Sequence, residues 1–112
     1  MKKINIVKKS EDFNNIIEKG NKSKSNLYYL YYLKNSFDHN RYGIAVSKKI
    51  GNAVIRNKNK RQIKSIIDSM QIKIKGYDFV IILKTNINDF NYLQKEEDIK
   101  RLFNNIGEKY EK

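Results

Sequence analysis

The stretch RYGIAVSKKIGNAVIRNKNKRQIKSII, residues 41–67, changes its period halfway along. Through Ser47 the residues alternate. Tyr42, Ile44 and Val46 fall on one side, and Gly43, Ala45 and Ser47 on the other, as in a β-strand. Gly51 breaks that pattern, and Asn52 is of the residue type that caps a helix. Beyond it, Ile55, Asn59, Ile63, Ile66, Ile67 and Met70 recur at helical spacing on one side. Asn57, Lys58, Lys60, Arg61 and Lys64 fall on the opposite side, with Arg56 near the boundary in the first turn. A strand therefore leads into an amphipathic helix whose wet face is cationic.

Working outward, Ser10 can cap a first helix over roughly 11–19, with Glu11 and Asp12 favourable in its first turn. Phe13, Ile16 and Ile17 give it an apolar face, and Gly20 ends it. LYYLYYL, residues 27–33, is too short and aromatic for anything but a strand, with Leu27, Tyr29, Tyr31 and Leu33 on one side. The turn KNSFDHN leads to the strand at 41, and the two strands are expected to be antiparallel neighbours. The source of a third strand is less defined; a bend in the tyrosine run would supply one. YDFVIILK, 77–84, reads as a strand covered on both faces. A last helix begins near Leu93, with Ile99, Leu102, Phe103 and Ile106 on one face. The order is α-β-β-β-α-β-α: an α+β single-domain sandwich over 1–112, with a mostly antiparallel central sheet and a β-α-β crossover.

The charge is lopsided. The formal net charge is +12, and no Asp or Glu occurs between Asn40 and Ile67. Arg41, Lys48, Lys49, Arg56, Lys58, Lys60, Arg61 and Lys64 all lie in that window, whereas residues 89–112 are nearly balanced. Solvated faces usually mix signs, so a cationic block of this kind is an electrostatic footprint for a polyanion. The chain has no Cys, which removes disulfides and thiolate metal sites. No apolar run nears the roughly 18 residues of a membrane span, and the apolar run after the N-terminal lysines is too short for a signal peptide. A cytoplasmic protein with no membrane partner is expected.

Catalytic chemistry is sparse. His39 is the single histidine and falls in a polar turn, where it reads as a surface residue. Asp68 and Asp78 are isolated in sequence, and Glu96, Glu97 and Asp98 read as a charge set at a helix N-terminus. There is no phosphate-binding glycine loop, no metal-ligand pattern and no catalytic constellation. Binding chemistry is abundant. Lys and Arg neutralise phosphates, Asn offers donors and acceptors, and Phe13 with Tyr28, Tyr29, Tyr31 and Tyr32 can stack bases. Some of those rings must be core, and a ring can also be both core and groove wall.

Residues 41–67 resemble the signature of the bacterial ribonuclease P protein subunit: a strand with SKK, then GNAV, then a helix with a basic Arg-Asn-Arg-like run. Here that run is Arg56-Asn57-Lys58-Asn59-Lys60-Arg61. KKSEDFNNIIEKG and GYDFVIIL are similar to the family's first helix and later strand, so the likeness covers nearly the whole chain. It implies the protein subunit of a ribonucleoprotein endonuclease (hydrolase, nuclease) for tRNA 5′-leader removal, with catalysis by the RNA and Mg²⁺ held mainly by that RNA. The implied partners are the ribonuclease P RNA and precursor tRNA, with no small-molecule substrate and no metal site or catalytic residue in the protein. Carried onto this chain, RNA-binding falls to Lys48, Lys49, Asn52, Arg56, Asn57, Lys58, Lys60, Arg61 and Lys64. A groove for the single-stranded leader falls to Phe13, Ile17 and Tyr31. The resemblance also implies a left-handed β-α-β crossover, against the right-handed form that is the general rule.

Two residues depart from the family pattern. Lys58 stands where the family has Arg, keeping charge but losing the bidentate fork. Ile17 stands where a second aromatic is common. A small basic ribosomal or assembly protein would share the basic and aromatic composition, and an autonomous nuclease would need the acids or paired histidines that this chain lacks.

Overall fold

The computed structural model describes residues 1–110, the side chains of 107–110 aside. Three helices and four strands follow in the order α1 (Ser10–Lys19), β1 (Asn21–Lys24), β2 (Tyr28–Lys34), β3 (Arg41–Ala45), α2 (Ala53–Ser69), β4 (Tyr77–Leu83) and α3 (Tyr92–Tyr110). Short 3₁₀ turns occupy Lys3–Asn5, Lys48–Ile50 and Ile87–Asp89. The α+β order is the one expected, and the third strand before α2 is β1, not a bent tyrosine run. β1 reads Asn-Lys-Ser-Lys and lies at the sheet edge, paired antiparallel with β2. Its lysines suit an exposed edge that must not recruit further strands.

The sheet order is β1-β2-β4-β3. β2 and β3 run in opposite directions, as expected, but they are not neighbours. β4 lies between them, antiparallel to β2 and parallel to β3. Its continuous apolar run explains the placement. Phe79, Val80 and Ile81 are fully buried, and such a strand needs both edges paired and both faces covered. The loop over residues 35–40 steps across the start of β4 and completes its hydrogen bonding. Asn35 N donates to Gly76 O at 2.8 Å, and Tyr77 N donates to Asn40 Oδ1 at 3.0 Å. Gly76 turns into β4 with φ of +81°, a region L side chains rarely adopt.

The two sheet faces carry unequal cores. On one face Tyr28, Leu30, Tyr32, Phe79 and Ile81 pack against Ile63, Ile66 and Ile67 of α2 and Ile99, Leu102 and Phe103 of α3. On the other, Val80 packs with Val7 and Ile16, flanked by partly buried Phe13, Tyr31, Leu33 and Ile82. The parallel pair β3–β4 is joined through α2, so the crossover helix stands at the sheet with one flank in the larger core.

Local capping differs from the sequence reading at α1. Lys9 occupies the cap position without a side-chain hydrogen bond, and Ser10 is already helical. α3 begins at Tyr92 behind a reciprocal pair: Asn91 Oδ1 accepts from Gln94 N, and Gln94 Oε1 accepts from Asn91 N, each at 2.9 Å. Of the three acids expected to decorate its N-terminus, Asp98 does something else. It is 4% exposed and accepts from Ser25 Oγ at 2.6 Å and Leu27 N at 3.0 Å, tying α3 to the β1–β2 connection. Asp78 is not isolated either; its carboxylate is paired with Arg41 across β3 and β4.

Candidate nucleic-acid interface

α2 divides as its periodicity dictates. Asn59, Ile63, Ile66 and Ile67 are buried, although Ile55, placed on the same side by spacing, is 38% exposed at the helix start. Asn52 caps the helix: its Oδ1 accepts from Ile55 N at 3.0 Å, and its carbonyl accepts from Arg56 N at 2.9 Å. On the opposite side Asn57, Lys58 and Arg61 are exposed, and Lys60 and Lys64 are half-buried. The 3₁₀ turn ahead of the helix buries Ile50 and leaves Lys48 and Lys49 in solvent.

No carboxylate among the described residues answers this face. Among the described residues none of Lys48, Lys49, Arg56, Lys58, Lys60, Arg61 and Lys64 forms an ion pair. The Nε of Arg56 is buried and, among the described residues, is the one such side-chain atom without a hydrogen-bond partner. Arg41, the remaining cation of the acid-free window, does not belong with them. Its Nε and Nη2 donate to Asp78 at 2.8 and 2.6 Å, and that hydrogen bond holds the guanidinium above its ordinary pKa.

A second surface lies where α1 crosses the sheet. The Phe13 ring seats on Gly43, where an added Cβ would stand 2.5 Å from Phe13 Cζ. Ile17, one turn on, is 37% exposed, and Tyr31 of β2 is half-buried beside Phe13 in the smaller core. The sequence-predicted trio Phe13, Ile17 and Tyr31 thus lies along the α1 side of the molecule, with Phe13 and Tyr31 in one cluster. Three further side chains join it. Lys22 Nζ stands 5.0 Å from the Tyr29 ring and 5.6 Å from the Tyr31 ring, and Lys84 Nζ stands 4.7 Å from Tyr29. Strand alternation already put Tyr29 on the side of Tyr31. Lys22 was out of reach because β1, which sets it opposite Tyr31, carries no apolar signal.

Other titratable residues are engaged locally. His39 contacts Ile4 O and Asp38 Oδ1, each at 3.1 Å. Among the described residues no three of His, Asp and Glu gather as a metal-ion cage, and no helix is long and apolar enough to cross a membrane. What these surfaces offer is binding chemistry: one is a row of cations of the kind that neutralises phosphates, and the other sets rings and ammonium groups beside apolar side chains.

Known proteins are similar to this chain in sequence and in fold. Residues 1–107 match the family model described as Ribonuclease P. The ribonuclease P protein component of Mesoplasma florum is 41% identical over 105 residues, spanning 91% of this chain and 94% of that one. The component from Streptococcus agalactiae serotype III (strain NEM316) is 38% identical over 99 residues, spanning 88% and 91%. The RNase P protein of Staphylococcus aureus superposes with a TM-score of 0.84 at 34% identity, covering 89% of this chain and 93% of its own. With a family match across nearly its full length and the same fold in a solved relative, the chain belongs to the ribonuclease P family, as a protein component of that endoribonuclease.

Proposed function

We propose that this chain binds the ribonuclease P RNA and the single-stranded 5′ leader of precursor tRNA, and so promotes removal of the leader. The observation that carries the reading is the unanswered cationic face of α2, where one buried guanidinium nitrogen lacks an acceptor. Lys48, Lys49, Asn52, Arg56, Asn57, Lys58, Lys60, Arg61 and Lys64 contact the catalytic RNA in this reading. Phe13, Ile17 and Tyr31 form the leader groove, with Tyr29, Lys22 and Lys84 extending it. Cleavage is the work of the RNA. In this reading the Mg²⁺ it needs is held mainly by the RNA too. A cytoplasmic setting, where precursor tRNA is made, follows from the same reading.

Purified chain is incubated with precursor tRNA at low Mg²⁺, with and without the cognate large RNA. Cleavage that needs both components is the expected result. Cleavage by the protein alone would make it an autonomous nuclease. No effect in either arm would leave a small basic assembly protein.

A further inference from the structure

Lys95 lies in the first turns of α3 and is 6% exposed. Its ammonium donates to Asn59 Oδ1 at 3.2 Å and to Gln62 Oε1 at 2.9 Å, both on α2. Both acceptors are neutral amides. Among the described residues no carboxylate pairs with it, and the charge that acts on it is a second cation, Lys58. An ammonium has three protons, so one is left over. Buried charges are ordinarily paired, because neutral amides recover only part of the cost of desolvating an ion.

The Asn59 amide is held in place for this contact. Asn59 Nδ2 donates to Ile55 O and to Asn88 Oδ1, each at 3.1 Å, and Asn88 Nδ2 donates to Ile50 O at 2.7 Å. Asn59 is thus fixed with its oxygen toward Lys95. A methionine would fill the same space without a charge to desolvate, so packing alone gives no reason for a lysine here. The two helices also meet at the surface. Tyr92, 39% exposed, is held to α2 by a 3.2 Å hydrogen bond between its hydroxyl and Ser65 Oγ. Ser65 lies one turn beyond Arg61, and Gln62 one turn beyond Lys58. Lys95 and its two amide partners therefore lie next to the cationic face of α2.

We propose that the seam between α2 and α3 is a phosphate site of the RNA interface, where Lys95, hydrogen-bonded to Asn59 and Gln62, supplies the charge for one backbone phosphate of the catalytic RNA. The site deepens the RNA-binding reading above and rests on it. An anion there supplies the counter-charge that the described residues omit, and docking restores Lys95 toward its ordinary basicity.

The test compares Lys95→Met with wild type for binding to the large RNA across a salt series. Losing one phosphate contact should weaken binding about tenfold at low salt and reduce the salt slope by about one unit. Urea melts check that the variant is folded. Unchanged affinity and slope in folded Lys95→Met would overturn the site. A measurement on the wild-type protein decides the matter should that variant fail to fold. The NMR signals of the lysine ammonium-bearing carbons are followed as inorganic phosphate is added. A saturable shift at Lys95, with Lys84 unmoved, supports the site; movement confined to exposed lysines overturns it. Arg61→Ala separates this from the broader reading. If Arg61→Ala lowers the slope and Lys95→Met does not, only the seam fails. If neither does, the basic face itself is not the RNA interface.

Discussion

Arg41 and Asp78 are 37 positions apart, and nothing in either neighbourhood announces the other. The sequence places Arg41 in an acid-free run, where it counts as one more cation for a polyanion. In the fold its guanidinium forks onto Asp78, which also accepts from Asn35 Nδ2 at 2.9 Å. Long-range pairing of this sort is invisible to periodicity because it depends on which strands become neighbours. Its consequence is testable. Asp78→Ala leaves a mostly buried guanidinium whose next anion, Asp12, is 3.7 Å away and partly exposed. Removing one member of a buried pair costs about 3–5 kcal/mol, and the partial exposure of Arg41 favours the low end, near 3 kcal/mol. Urea melts should register that loss while RNA affinity per folded molecule stays put. A loss under about 1 kcal/mol would mark the pair as an ordinary surface bridge.

At the scale of elements, legibility followed amphipathicity. α2, α3 and β4 each carry a long apolar signature, and each formed within a residue or two of where that signature lies. β1 did not announce itself: an edge strand held by backbone hydrogen bonds needs no apolar side chains, and Asn-Lys-Ser-Lys has none. With β1 went Lys22, and with the β2–β4–β3 order went the expectation that β2 and β3 touch. The cationic side of α2 was readable for the same reason as its buried side, since both follow from one period. Asn52 shows where one residue holds two roles. Its carboxamide oxygen is committed to the cap, yet it sits in the segment assigned to RNA. Asn52→Ala should cost about 1 kcal/mol of stability through the lost cap. Asn52→Asp keeps an oxygen for the cap and suits the positive end of the helix, but sets a carboxylate against phosphate. Stability should therefore fall in the first variant and hold in the second, while RNA affinity falls more in the second. Melting both variants and titrating both with the large RNA reads this pattern; equal stability losses would mean that the cap contributes nothing.

Over the whole molecule, the net charge of +12 is partitioned rather than spread. The sheet carries an apolar core on each face, α2 holds its uncompensated cations outward, and buried hydroxyls lie between. Two of those hydroxyls give the fold its alkaline limit. Tyr28 is fully buried and donates to Lys95 O at 3.1 Å; burial first, and the nearby Asp98 carboxylate second, push its pKa up. Burial raises Tyr42 as well, against a hydrogen bond from Asn40 that lowers it. For a raised group the native state holds its proton while the unfolded chain releases it above its ordinary value near 10. Below that pH both states are protonated and the contribution is intact; above it, stability falls as pH rises toward the folded pKa. Lys95 runs the other way. Its lowered pKa means that the unfolded chain holds more protons just below 10.5, so its burial becomes less costly as pH approaches that value. Urea melts from pH 8 to 11 should therefore show Tyr28→Phe starting lower, by about 1 kcal/mol for its lost hydrogen bond, and then declining less steeply above pH 10 than wild type. Absorbance at the tyrosinate band supplies the second reading. In folded wild type, Tyr28 should ionise only with unfolding, so the late-titrating part of the signal should shrink in the variant. Parallel declines above pH 10, with an unchanged late absorbance step, would mean that Tyr28 is already ionised in the native protein or never buried its hydroxyl.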